Sequence, residues 1–189
     1  MHEYPNIFLI GMPGAGKSTV GRALAKSLAM TFVDSDDEII RRNGVEIATI
    51  FEIEGEAGFR QREAVVIEEL TQRAGIVLAT GGGAVLRADN REALARRGVV
   101  VYLHTTLEVL AQRTTQDIGK RNKRPLLDSG DVSGKLTELL AVREPLYKAI
   151  ADITIDTTVL TRNSFLPELA AEVAAFAAKW RKPSNPKPG

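Results

Sequence analysis

The sequence predicts a doubly wound α/β domain, a parallel β-sheet covered by helices. Five short apolar runs rich in Val, Ile and Leu alternate with stretches of helical period, the pattern of consecutive β-α units. The first unit carries Gly11-Met12-Pro13-Gly14-Ala15-Gly16-Lys17-Ser18, which fits the phosphate-binding loop pattern G-x-x-x-x-G-K-[ST] at every fixed position. The length of 189 residues, with 44% hydrophobic and 26% charged side chains, suits one soluble domain with a sizeable core.

Ile7-Phe8-Leu9-Ile10 reads as a buried strand entering the loop. Thr19 to Met30, with Val20, Leu24 and Leu28 on one stripe, reads as the helix leaving it. In that order a phosphate meets bare backbone N–H groups at a helix N-terminus, so Gly14, Ala15 and Gly16 are candidates to cradle it. Lys17 would reach the β- and γ-phosphates, and Ser18 offers a hydroxyl to Mg²⁺, which prefers oxygen ligands.

Thr31 to Asp34 is the second predicted strand, running directly into Ser35-Asp36-Asp37-Glu38. Ligands of open α/β sheets bind outside the carboxyl ends of strands, so Asp34 and Asp36 can both approach the phosphate site. The competing reading is that Ser35, Asp36 and Asp37 only cap the next helix. Glu38 to Arg73 reads as a helical insertion, interrupted near Asn43-Gly44 and Glu54-Gly55. Inside it Arg60 and Glu63 share a helix face, as an internal pair or as an ordinary solvated one.

Ile76 to Ala79 has the continuous apolar character of a central parallel strand, and it ends in Thr80-Gly81-Gly82-Gly83. Bare backbone directly after a strand either meets a ligand or makes a flexible turn into the helix expected near Asp89. Val99 to Leu103 is the next strand, and a helix around Leu107 to Arg113 follows. Thr114 to Asp131 lacks an apolar period and reads as a mobile loop. Lys120, Arg121, Lys123 and Arg124 crowd within it, fitting a lid that closes over phosphates or a solvated loop. Leu136 to Ile150 is a helix carrying Arg143-Glu144-Pro145-Leu146-Tyr147, with a kink expected at Pro145. Ile153 to Asp156 is the last strand, and a turn through Thr161-Arg162-Asn163 leads to a helix from Leu166 to about Trp180. Residues 181–189, with three prolines, are expected to form a disordered tail.

A formal net charge of +1 sets up no general field toward nucleic acid or membrane. Cysteine is absent, which excludes disulfides, thiolate metal sites and Cys nucleophiles and suits a reducing cytosol. The start Met1-His2-Glu3-Tyr4-Pro5 lacks a basic and then apolar leader, and no run approaches the length of a membrane span. The expectation is a cytoplasmic monomer that handles small molecules and binds neither nucleic acid nor membrane.

The chemistry these residues suggest is phosphoryl transfer from a Mg²⁺-nucleotide to a small acceptor. Arg60 and Arg143 point to an anionic acceptor, since a guanidinium fork pairs bidentately with a carboxylate. Together the chain resembles the shikimate kinase family from about Ile7 to Ala175. The likeness rests on Gly11 to Thr19, Asp34-Ser35-Asp36, Gly58-Phe59-Arg60 with Glu63, Gly81-Gly82-Gly83, Arg124-Pro125-Leu126-Leu127, and Arg143 with Tyr147. The resemblance implies a P-loop NTPase-type three-layer α/β/α fold of the nucleoside monophosphate kinase-like group, with a five-stranded parallel sheet in the order 2-3-1-4-5. It implies a single kinase domain over residues 1–180, with the substrate-binding insertion at about 38–73 and a mobile lid at about 114–131.

The implied activity is transfer of the ATP γ-phosphate to the 3-hydroxyl of shikimate, giving shikimate 3-phosphate and ADP on the route to chorismate and the aromatic amino acids. By the same resemblance Lys17 contacts the transferring phosphate, with Gly14 to Thr19 around the nucleotide phosphates. Ser18 ligates Mg²⁺ and Asp34 holds it through water. Asp36 faces the acceptor hydroxyls, as a base or as a positioning group. Arg60 and Arg143 grip the carboxylate, Glu63 orients Arg60, and the N–H groups of Gly81, Gly82 and Gly83 meet the hydroxyls. Arg124 descends with the lid, and Arg113 and Arg162 lie around the adenine. The alternatives are another small-acceptor P-loop kinase, such as a gluconate kinase-like protein, and a non-catalytic ATP-binding module.

Overall fold

Five parallel strands, β1 (Asn6–Ile10), β2 (Thr31–Asp34), β3 (Ile76–Ala79), β4 (Gly98–His104) and β5 (Ile153–Asp156), form one sheet in the order β2-β3-β1-β4-β5. This is the order the resemblance implied. The structure, a computed structural model, describes residues 4–118, 132–158 and 165–180. The central strands β1 and β3 are buried along their whole length, as expected of aliphatic runs covered on both faces. The edge strands β2 and β5 are partly exposed.

Among the described residues seven helices surround the sheet: α1 (Lys17–Ser27), α2 (Ser35–Asn43), α3 (Ile47–Thr71), α4 (Ala88–Arg97), α5 (Leu107–Ile118), α6 (Val132–Ile150) and α7 (Phe165–Lys179), with a short 3-10 turn at Ala84–Leu86. Helices α1 and α7 pack together on one side, and α3, α4 and α6 on the other. One contiguous core runs through Phe8, Ile10, Leu24, Ile67, Leu78, Val100, Tyr102 and Tyr147.

The predicted interruptions of the insertion are real. Gly44 ends α2 at φ 68°, and Gly55 breaks the helical path of α3 at φ 69° and ψ −176°, so α3 is two helices joined at a bend. Several boundaries differ from the sequence reading. Helix α1 begins at Lys17, inside the loop motif, because Gly16 at φ 92° turns the chain directly into the first turn. Helix α5 runs on to Ile118, so Thr114 to Ile118 are helical and not part of a loop. The buried Thr114 extends the packed face of α5 one turn beyond the apolar pattern. Helix α6 begins at Val132 and contains Pro145 without being divided there. The rest of the predicted lid with Arg124, the turn with Arg162, and the tail 181–189 lie outside the described residues.

Candidate active site

The phosphate loop is braced through its carbonyls. Gly14 and Gly16 take φ 86° and 92°, left-handed backbone that glycine adopts without strain. Lys17 Nζ donates to the carbonyls of Gly11 and Met12, each at 2.8 Å. Arg113 donates to Thr157 O at 2.9 Å and Gly14 O at 3.4 Å, tying α5 to the loop and to the end of β5. Burial holds the Arg113 guanidinium below its usual value. The buried Thr157 hydroxyl lies 3.0 Å from both Ala15 O and His104 O. Thr157 was not singled out by sequence reasoning; the available signal was a hydroxyl residue at the carboxyl end of a strand. Thr19, by contrast, is exposed on the first turn of α1.

The helix-capping role that the sequence reading offered to Ser35, Asp36 and Asp37 falls to Asp34. Its Oδ1 accepts from the Asp36 backbone N–H at 3.0 Å, capping α2, and its Oδ2 accepts from Ser18 Oγ at 2.8 Å. A hydroxyl and a carboxylate oxygen side by side at the mouth of the phosphate loop form a hard oxygen pair. That pair fits a Mg²⁺ ion that takes its other ligands from phosphate and water.

Asp36 points from the first turn of α2 into a cluster of charge. Its Oδ1 is buried without a hydrogen-bond partner among the described residues, as is Oε1 of the fully buried Glu63. Both atoms converge on Gly81, where an added Cβ would lie 2.6 Å from Glu63 Oε1 and 2.8 Å from Asp36 Oδ1. Burial, then the negative charges of Asp34 and Glu63, push the Asp36 carboxyl up to about 7 against the pull of Lys17 and Arg60. Burial also raises Glu63, although Arg60 beside it opposes the rise.

The Arg60–Glu63 pair is internal. Arg60 Nη1 donates to Glu63 Oε2 at 2.7 Å, and Nη2 donates to the more exposed Glu56 at 3.1 Å. Arg143, only 3% exposed, lies close enough for its charge and that of Arg60 to oppose one another, and burial lowers its guanidinium further. None of the ion pairs formed among the described residues involves Arg143. Two largely enclosed guanidiniums within electrostatic reach of one another are stabilised by an anion between them.

Each of the three glycines has a close neighbour in the fold. The Gly81 N–H, one of the amides expected to meet a ligand, donates to Ser35 Oγ at 3.0 Å. The Gly82 carbonyl accepts from Tyr147, and Gly82 lies against Pro13 of the phosphate loop. Gly83 lies flat against the Arg60 guanidinium, where a Cβ would collide. The structure thus brings Lys17, Ser18, Asp34, Asp36, Arg60, Gly81 to Gly83 and Arg143 to one end of the sheet. A separate cavity of about 400 Å³, lined by Gln61, Ala64, Val65, Glu68, Asp89 and Asn90, contains none of them.

Residues 13–175 match the family model described as shikimate kinase. The shikimate kinase of Bordetella pertussis is 51% identical over 178 residues, spanning 94% of this chain and 82% of the relative. The chain belongs to the shikimate kinase family. A second relative, the shikimate kinase of Legionella pneumophila strain Corby, is 52% identical over 172 residues, 89% of this chain and 96% of its own. The solved structure of Acinetobacter baumannii shikimate kinase in complex with shikimate superposes with a TM-score of 0.83 at 47% identity, covering 95% of this chain and 97% of that one. A gluconokinase from Sinorhizobium meliloti shares only the fold, with a TM-score of 0.59 at 21% identity. Family membership makes the chain an ATP-dependent small-molecule kinase, a phosphotransferase with an alcohol acceptor. No helix among the described residues is long and apolar enough to cross a membrane.

Proposed function

We propose that the chain transfers the γ-phosphate of ATP to the 3-hydroxyl of shikimate, with the acceptor held between α2, α3, α6 and the glycine loop. The observation that carries the assignment of the acceptor site is the convergence of Asp36, the Arg60–Glu63 pair and Arg143 around Gly81 to Gly83, beside the phosphate loop. Arg60 and Arg143 bind the acceptor carboxylate as a pair of guanidinium forks. Asp36, pushed up to about 7, is tuned to accept the hydroxyl proton near neutral pH. A loose transition state needs little help from a strong base, so orienting the hydroxyl for in-line attack is the larger part of its role. Lys17 stabilises the charge of the transferring phosphate, and the loop amides at Gly14 to Thr19 hold the nucleotide.

Mg²⁺, held by Ser18 directly and by Asp34 through water, would bridge the nucleotide phosphates and neutralise their charge. Arg124 would descend with the lid onto the phosphates, and Arg113 and Arg162 would flank the adenine. On this reading the enzyme is a cytoplasmic monomer, in keeping with its cysteine-free sequence and net charge of +1. Gluconate is the acceptor to exclude. Purified protein incubated with Mg-ATP and either acid, with the product identified by mass, is expected to give a phosphorylated product from shikimate alone. Turnover of gluconate at a comparable rate would overturn the assignment.

A further inference from the structure

Tyr147 is fully buried on α6, one turn beyond Arg143, so the two side chains share a helix face. Its phenol oxygen lies against the Arg143 guanidinium, near enough for each group to shift the titration of the other. Its hydroxyl donates to the Gly82 carbonyl, and the same oxygen lies 3.8 Å from Met12 Sδ in the phosphate loop. The ring stacks on Tyr102, with centroids 5.1 Å apart and planes inclined by 23°. One hydroxyl therefore touches the acceptor clamp, the glycine loop and the phosphate loop.

We infer that Tyr147 is a positioning residue for acceptor binding, holding the Arg143 guanidinium and the Gly82 carbonyl in register so that a bound carboxylate is set at a fixed distance from the phosphate loop. The inference rests on the reading of Arg143 as a carboxylate ligand. The hydroxyl has one proton, which goes to Gly82, so what it can offer the neighbouring Arg143 is a lone pair. Burial keeps the phenol protonated by raising it well above its ordinary value. Without the oxygen, Arg143 loses a fixed partner and can rotate, and the Gly82 carbonyl is left buried and unpaired. Tyr102 supplies an internal control, because its own hydroxyl is buried without a hydrogen-bond partner among the described residues, in the same aromatic stack.

The experiment compares kcat/KM for shikimate with that for the analogue lacking the carboxylate, in wild type, Tyr147→Phe, Tyr102→Phe and Arg143→Ala. In wild type the ratio should strongly favour shikimate, and Arg143→Ala should remove most of that preference. Tyr147→Phe should reduce the preference about tenfold or more, the scale of a lost hydrogen bond to a charged group. Its KM for ATP should stay within about twofold of wild type, while Tyr102→Phe leaves the preference unchanged. Equal loss toward both acceptors in Tyr147→Phe would reduce Tyr147 to packing and overturn the inference. So would an equal effect of Tyr102→Phe. If wild type does not discriminate between the acceptors, the carboxylate clamp itself fails. If wild type discriminates and only Arg143→Ala abolishes it, Tyr147 alone fails. Should Tyr147→Phe not fold, Tyr102→Phe protein labelled with 3,5-difluorotyrosine, assayed at a pH low enough to keep the more acidic phenol neutral, keeps the ring and hydroxyl but weakens the oxygen as an acceptor. A fall in acceptor preference supports the inference, and an unchanged preference overturns it.

Discussion

Replacing Gly83 by Ala tests the acceptor clamp with a single methyl group. The backbone accepts it, since Gly83 sits at φ −96°, where any residue is comfortable. The added Cβ, however, collides with Arg60 Nη2 and would stand 2.5 Å from Cζ and 2.6 Å from Nη1. Ordinary contact begins near 3.4 Å, so the guanidinium must withdraw by about an ångström or turn away. A full loss of one charged, desolvated contact costs about 2–5 kcal/mol, and displacement of Arg60 should forfeit about half of that. The expected result is a rise in the KM for shikimate of about 5- to 70-fold, with the KM for ATP little changed. Stability should fall only modestly. The guanidinium ends a flexible chain that can still reach Glu56, and Glu63, already raised by burial, can take up a proton instead of remaining an unpaired buried charge. Steady-state kinetics with both substrates and thermal unfolding by circular dichroism supply the measurements. The decisive arm is the double variant: in an Arg60→Ala background the methyl has no guanidinium to displace, so Gly83→Ala should add almost nothing. A shikimate KM within twofold of wild type in the single variant, or a full additional penalty in the double, would refute this account of the clamp.

Other perturbations separate the remaining roles. Lys17→Ala should lower kcat by at least about a hundredfold while leaving the circular dichroism spectrum intact, and near-normal turnover would contradict its place at the transferring phosphate. Asp36→Asn should lower kcat and acceptor affinity with Mg-ATP binding nearly unchanged, whereas Asp34→Asn should raise the Mg²⁺ needed for activity. Separate titrations of Mg²⁺ and shikimate test the division, and an effect of Asp36→Asn on the Mg²⁺ requirement alone would reverse it. Glu38 gives a pH prediction away from the chemistry. Hydrogen bonds from Arg41 and then Arg42 bring it down to about 2 from an ordinary 4.5, overcoming the opposing effect of its own burial. A depressed carboxyl stabilises the fold above its unfolded value and loses that contribution as pH falls from about 4.5 toward 2. Because the Arg41 side chain is 69% exposed, the contribution is discounted to about 1 kcal/mol or less. Glu38→Gln should therefore be less stable than wild type at pH 7 in urea titrations and approach it below about pH 3; a gap independent of pH would show that packing, not charge, is lost.

Which parts of this molecule could be read from its residues follows from what each residue touches. Strands β2, β3 and β5 begin and end where the sequence places them, because aliphatic runs bounded by Gly, Asp and Thr leave little choice of register. The extension of α5 through Thr114 to Ile118 was hidden, because Thr-Thr-Gln-Asp carries no apolar period and Thr is a poor helix former; the buried Thr114 beside Gly14 belongs to a tertiary contact. In the candidate site, Lys17 stands in a motif whose fixed positions phosphate chemistry demands, Asp34 and Asp36 follow a strand end beside it, and the role of Arg60 came from the family resemblance. Whether Arg60 and Glu63 formed an internal or a solvated pair was undecidable from spacing alone. Glu63 is enclosed only when α2 and the glycine loop close over it. The least legible layer is the one that holds the loops. Arg113, Thr157 and Tyr147 bind the carbonyls of Gly14, Ala15 and Gly82, while Ser35 accepts from a backbone amide. Every residue carries a carbonyl, and all but proline an amide, so these partners leave no mark on the sequence. The groups that act on substrate can thus be read from residue identity, whereas the groups that fix their distances become visible only when the backbone is in place.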